Sequence, residues 1–259
     1  MSNISPLAYI DPKAKIGKNV IVYPFAYIEG DVEIGDECII FPYASIMNGT
    51  RMGKKNRVYQ NTVLGARPQD FNYQEGEKTY LVVGEQNIFR ENVVVNRATH
   101  NDGETRIGNR NFFMEGVHVS HDVKIDDYCT FGYGTKIAGD CEIHSAVICS
   151  SSVIINAGCR IGGASMITGG VRISRDVPPF IVATHNPVKY GGLNETVIDG
   201  FTTEKVRAHI ANAYRLVFHG QTSVFDACIQ IEEQVPSGRE IDAIVAFIKG
   251  TKLGIISKD

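Results

Sequence analysis

Apolar side chains recur at every sixth position over most of the chain. From Ile4 the steps read Ile4, Ile10, Ile16, Val22, Ile28, Ile34, Ile40, Ile46, Met52, Val58 and Leu64. A second run covers Ile107, Phe113, Val119, Ile125, Phe131, Ile137, Ile143, Cys149, Ile155, Ile161, Ile167 and Ile173. Val83, Phe89 and Val95 share this second frame, and Asn101 is its one miss. A period of six fits neither a helix nor a plain strand. Two residues before each main position lies a second, smaller column, for example Ala8, Ala14, Val20, Ala26, Val32 and Cys38. The pattern predicts short strands with alternate side chains turned inward, each followed by a corner. Gly17, Gly35, Gly53, Gly65, Gly84, Gly108, Gly132 and Gly162 directly follow main-column residues. They predict places where backbone needs room that a Cβ would occupy.

This repeat resembles that of the hexapeptide-repeat acyltransferase superfamily. The resemblance implies a left-handed parallel β-helix in which three hexads make one triangular coil, so residues three hexads apart share a column. Two segments break the lattice, 66–80 and 96–104, and such insertions are extruded at corners, where function often resides. The lattice is expected to end near Pro178-Pro179, followed by a Gly- and Asn-rich linker over 186–200. Beyond it the period becomes helical. Val206, Ile210, Ala213 and Val217 predict a helix capped by Thr202 or Thr203 and ended by Gly220. Ser223 caps a second, ending near Gln234, and Ile241, Ile244, Val245 and Ile248 mark a third. The expected organisation is a β-helix over 1–188 and a helical domain over 189–259, packed on the prism's end or on a neighbouring chain.

The 259 residues are 43% hydrophobic and 21% charged, with a net charge of −3. That balance excludes wholesale disorder and argues against a general nucleic-acid binder. No apolar run reaches the length of a membrane span. The start, Met1-Ser2-Asn3-Ile4-Ser5-Pro6, lacks a basic region followed by an apolar stretch, so the expected location is the cytoplasm. Six cysteines in that compartment are expected to be free thiols. Cys38, Cys129, Cys141 and Cys159 fall on the small inward column and Cys149 on the large one, so they are read as core.

The coil arithmetic brings chemistry together. His121 and Gly139 share a column, placing an imidazole one coil from a backbone N–H, a candidate general base beside a candidate oxyanion donor. Asp122 follows and is suited to orient the ring. His118 shares a column with Lys136, and Arg172 lies two coils beyond Lys136.

The segment Asn111-Phe112-Phe113-Met114-Glu115-Gly116-Val117-His118-Val119-Ser120-His121-Asp122 is similar to the active-site segment of the UDP-N-acetylglucosamine O-acyltransferase family. Arg67-Pro68-Gln69-Asp70, Arg90-Glu91-Asn92, Asp176-Val177-Pro178-Pro179-Phe180 and Asn212-Ala213-Tyr214 resemble further landmarks of that family. The resemblance runs nearly the full chain. It implies transfer of a 3-hydroxyacyl chain from acyl carrier protein to the 3-hydroxyl of UDP-N-acetylglucosamine, the first step of lipid A biosynthesis. His121 would be the general base, Asp122 its aid and the Gly139 N–H the oxyanion donor. His118 would hold substrate. Gln69 and Asp70 would form a loop reaching the acyl chain or sugar, in a site shared between adjacent subunits of a homotrimer. No metal, enzyme-bound cofactor or covalent intermediate is implied; the donor itself carries phosphopantetheine. Lys136 and Arg172 offer local basic charge to steer an acidic carrier protein.

Gly169 stands near the position that limits acyl length in the family, and its lack of a side chain implies a long chain; a plain corner is the other reading. Where the family often has an Arg-Arg pair before Gly-Phe, this chain reads Thr196-Val197-Ile198-Asp199-Gly200-Phe201. Nucleotide contact is then left to Asn194 and Glu195. Asp140 and Asn156 stand where relatives often carry His, in supporting positions near substrate. Three other readings compete. One is a zinc enzyme like the γ-class carbonic anhydrases, using His100, His118 and His121. Another is the N-acyltransferase acting later in the same pathway, and the third a non-catalytic β-helix scaffold.

Overall fold

The computed structural model describes residues 3–200 and 202–258, so Met1, Ser2, Phe201 and Asp259, part of the segments quoted above, lie outside the described residues. Its strands form three sheets of 11, 9 and 8 strands, the faces of a triangular prism. Most strands are two residues long, because a hexad leaves room for only two before the next corner. Parallel pairing joins each strand to the one three hexads on, as in Asn3 with Ile21, Tyr9 with Tyr27 and Lys15 with Glu33. Adjacent coils therefore stack at about 4.8 Å.

Main-column residues from Val22 to Ile173 are buried in one continuous core, with the Phe89, Phe113 and Phe131 rings stacked along its axis. Ile4 is 44% exposed, and Ile10 and Ile16 are half-buried. They line the first coil, which has a neighbour on one side only. All five column cysteines, and Cys228 in the helical region, are buried free thiols.

Two different constraints act at the corners. At one edge successive backbones nearly touch. A Cβ on Gly35 would sit 2.6 Å from the Gly53 carbonyl carbon, and one on Gly53 2.7 Å from the Gly84 oxygen. The left-handed φ of the turns is mostly carried by other residues, including Phe25 at 64°, Asp122 at 59° and Asp140 at 60°. These glycines are thus required by close approach rather than by φ.

The insertions shift the register without breaking the stack. Arg57 pairs with Ile88, where an unbroken lattice would offer Glu75, and Val63 pairs with Val94 in place of Leu81. The first insertion is therefore looped out whole. Val94 in turn pairs with His118 in place of Phe112, so the second, shorter insertion is looped out in the same way.

The C-terminal end differs from the sequence expectation. Ile181–Thr184 continues past Pro178-Pro179 as a parallel strand on Met166–Ile167, and Lys189–Leu193 pairs back on it antiparallel. The segment read as a linker over 186–200 is thus largely a strand and one short helix, α1 (Glu195–Ile198), and the expected boundary at 188 falls inside the hairpin. Proline and glycine masked this strand because it lies on a sheet end and not in a hexad. The other helices match their predicted signals: α2 (Glu204–His219) is capped by the Thr203 hydroxyl, α3 (Val224–Gln234) by that of Ser223, and α4 (Arg239–Lys249) buries Ile241, Ile244, Val245 and Ile248.

The helices pack on the last coils. Asp176 is buried where the two parts meet. Its carboxylate accepts from the Arg160 N–H at 2.9 Å and the Thr251 hydroxyl at 2.8 Å, while the Arg160 guanidinium lies over the Phe247 ring. Tyr214 donates its hydroxyl to the Pro179 carbonyl.

If contact between coils sets the glycine edge, Gly35→Ala must push one coil off the next. Overpacking of this kind costs about 1–3 kcal/mol, which for a chain of this size lowers Tm by about 2–12 °C. A thermal melt checks this; an unchanged Tm would contradict the close-approach account.

Candidate active site

Three edges join the three faces of the prism. His121 and Asp122 turn the edge after the strand His118–Val119, and Gly139 and Asp140 turn the same edge one coil on. The coil arithmetic is met here. The imidazole occupies the space a side chain on Gly139 would need: a Cβ there would clash with Cε1 and lie 2.9 Å from Nε2 and 3.0 Å from Nδ1. Among the described residues no acceptor takes the Gly139 N–H. The next amide, Asp140 N–H, donates to the His121 carbonyl at 3.2 Å and ties the two turns together.

His121 is flanked by two carboxylates. Its Nδ1 is 2.9 Å from Asp122 Oδ2, and its Nε2 is 3.5 Å from Asp70 Oδ2. An ionised carboxylate can only accept, so in the tautomer that donates from Nδ1 to Asp122 the Nε2 atom keeps its lone pair. The imidazole side chain is 12% exposed, shielded yet reachable. His118 bonds Ser120 Oγ at 3.2 Å. Burial, with the charges of Lys136 and His121, holds its imidazole below the ordinary histidine range. Lys136 donates its Nζ to the Gly116 carbonyl.

Sequence reasoning missed two threonines. Thr99 donates its hydroxyl to Asp122 Oδ2 at 2.7 Å, and Thr105 Oγ1 accepts the Asp122 N–H at 2.8 Å. Thr99 lies in the second insertion, outside the lattice arithmetic; Asp122, needing a partner at its corner, was the available signal.

Other expected site residues lie apart from this cluster within one chain. Gln69 is exposed in the first insertion. Asn156 accepts from Arg172 at 3.2 Å. Gly169 is on a second edge, where Gly170 takes the left-handed corner at φ 73°. Asn194 is at the third: it is buried and donates to the Ala164 carbonyl, while Glu195 beside it is exposed.

The structure separates His100 from the other two histidines of the zinc reading. Val94, not His100, pairs with His118, because the second insertion moves His100 out to an exposed turn. Nor do the cysteines offer a nucleophile. Burial pushes the thiols of Cys129 and Cys141 up to about 12 and that of Cys159 up to about 11.

Comparison with known proteins bears on the family. The profile of the family "Udp N-acetylglucosamine O-acyltransferase; Domain 2" matches residues 176–256, and the bacterial transferase hexapeptide profile matches 13–40 and 104–139. An acyl-(acyl-carrier-protein)–UDP-N-acetylglucosamine O-acyltransferase from Halorhodospira halophila is 38% identical over 259 residues, covering 99% of this chain and 100% of its own. The enzyme of the same name from Nautilia profundicola is 40% identical, covering 98% of each chain. The crystal structure of a UDP-N-acetylglucosamine acyltransferase from Bacteroides fragilis superposes with a TM-score of 0.95 at 42% identity, over 97% of this chain and 99% of that one. With relatives matched over nearly their full length at 38% and 40% identity, the chain belongs to the acyl-(acyl-carrier-protein)–UDP-N-acetylglucosamine O-acyltransferase family.

Proposed function

We propose that the protein transfers a 3-hydroxyacyl chain from acyl carrier protein to the 3-hydroxyl of UDP-N-acetylglucosamine, the first step of lipid A biosynthesis, in the cytoplasm. The observation that carries this reading is the His121 imidazole, oriented through Nδ1 by Asp122 and lying on the bare Gly139 backbone. The sugar hydroxyl gives its proton to His121 Nε2 as its oxygen attacks the thioester carbonyl. The developing oxyanion takes the Gly139 N–H. The C–S bond then breaks, and the imidazolium returns the proton to the departing thiolate. Base and donor need no acyl-enzyme, because the thioester is already activated.

Asp70 faces the side of the ring where the hydroxyl must approach, and so is suited to receive the sugar. His118, kept neutral, is suited to hold substrate as a hydrogen-bond partner. The three-edge distribution supports a homotrimer. The His121 edge of one protomer would meet the edges carrying Gly169, Asn194 and Glu195 on its neighbour, with Asp140 and Asn156 on the cleft wall. Gly169 would leave room for a long acyl chain. Lys136 and Arg172 would attract the acidic carrier protein.

The reading is tested by acyl transfer to UDP-N-acetylglucosamine from a panel of 3-hydroxyacyl carrier proteins. Turnover with at least one donor is expected, and none on any would overturn it. His121→Ala should lower kcat by about 10²–10⁴-fold with assembly intact; near-native turnover would remove the base. Lys136→Gln removes one of the charges that hold His118 low, so the His118 NMR titration should move to higher pH; a downward move would contradict the assignment.

A further inference from the structure

One short segment contacts the Asp122 carboxylate and the loop that carries Asp70. Asn96-Arg97-Ala98-Thr99 leaves the lattice at the start of the second insertion. Towards Asp122 it offers Thr99, whose hydroxyl donates to Oδ2 at 2.7 Å and whose N–H is 3.3 Å from both carboxylate oxygens. Towards Asp70 it grips the loop on both sides. Asn96 Nδ2 donates to the Arg67 carbonyl at 2.6 Å, and the Arg97 N–H to that of Ala66 at 3.0 Å. The Arg97 guanidinium donates to the Tyr73 hydroxyl at 2.9 Å and to Thr79 Oγ1 at 2.9 Å. Asp70 lies between these anchors, at Arg67 and Tyr73.

We propose that Thr99 and Arg97 are positioning residues: Thr99 fixes the Asp122 carboxylate on His121 Nδ1, and Arg97 fixes the Asp70 loop against Nε2. This deepens the acyl-transfer reading and rests on it. Asp122 sits at a left-handed corner, its backbone held by Thr105, so its side chain is the remaining freedom. The Thr99 hydroxyl donates to the same oxygen, Oδ2, that meets Nδ1, and the Thr99 N–H lies 3.3 Å from both oxygens, so the two donors hold the carboxylate in the plane that keeps Oδ2 on the ring. Without them the carboxylate can rotate towards water, and the imidazole can take its other tautomer, with the proton on Nε2 and no lone pair for the sugar hydroxyl. Arg97 touches no part of the imidazole. Its loss frees the loop and so loosens acceptor binding rather than the base. Two residues two positions apart should therefore act on different kinetic constants.

The test compares the full-length protein with Thr99→Val, Thr99→Ser and Arg97→Gln, after Tm shows each folded. Thr99→Val should lower kcat by about 10–100-fold with KM for UDP-N-acetylglucosamine within about 2-fold. Thr99→Ser keeps the hydroxyl and should recover most of the loss. Arg97→Gln should raise that KM by about 10-fold with kcat little changed. In ¹⁵N NMR of the unliganded protein, His121 should carry its proton on Nδ1 in the wild type and Thr99→Ser, and on both nitrogens in exchange in Thr99→Val. An unchanged tautomer in Thr99→Val, a failed rescue by serine, or equal effects of the two positions on both constants would overturn the proposal. If the wild type turns over none of the donors, the acyl-transfer reading itself fails, whereas the NMR result still decides what Thr99 holds.

Discussion

The structure depends on coil-on-coil contact repeated every three hexads. Two-residue strands are too short to hold a register alone, so each is fixed by the stacks above and below and by the apolar column inside. A slip of one residue would turn the column outward along the whole prism. The glycine edge adds a steric lock: Gly35, Gly53, Gly84 and Gly108 lie so close that no side chain fits between coils. At Gly139 it is the His121 imidazole, one coil away, that takes the space of a Cβ. The site is an ordinary feature of the lattice with one histidine placed on it.

What the lattice does not supply, the insertions do. The first brings Asp70 to one ring nitrogen of His121, and the second brings Thr99 to the carboxylate on the other. Because coils continue in register on both sides, the loops gain freedom to differ while the histidine edge stays fixed. The left-handed parallel β-helix shared with the relatives is thus a rigid ruler, and the departures from its period carry the polar detail.

Most of this was legible in the sequence wherever periodicity was unbroken. The Ile-rich columns, the buried cysteines, the Thr203 and Ser223 caps and the His121–Gly139 pair all follow from fixed spacings. Three things did not. Thr99 was hidden because a bond between an extruded loop and a corner has no period. His100 is 18 residues from His118, but the second insertion puts Val94 in that column instead. The strand Lys189–Leu193 pairs antiparallel beyond the last hexad and is rich in glycine, so it read as linker.

The account turns on the imidazole lying directly against the Gly139 backbone, and Gly139→Ala probes that contact with a single methyl group. Steady-state kinetics of this variant, alongside its melting curve and assembly state, test the claim most directly. A folded, assembled protein whose kcat falls by about 10²-fold or more is expected, since the methyl moves the base off its amide neighbour. A variant with wild-type kcat would contradict it.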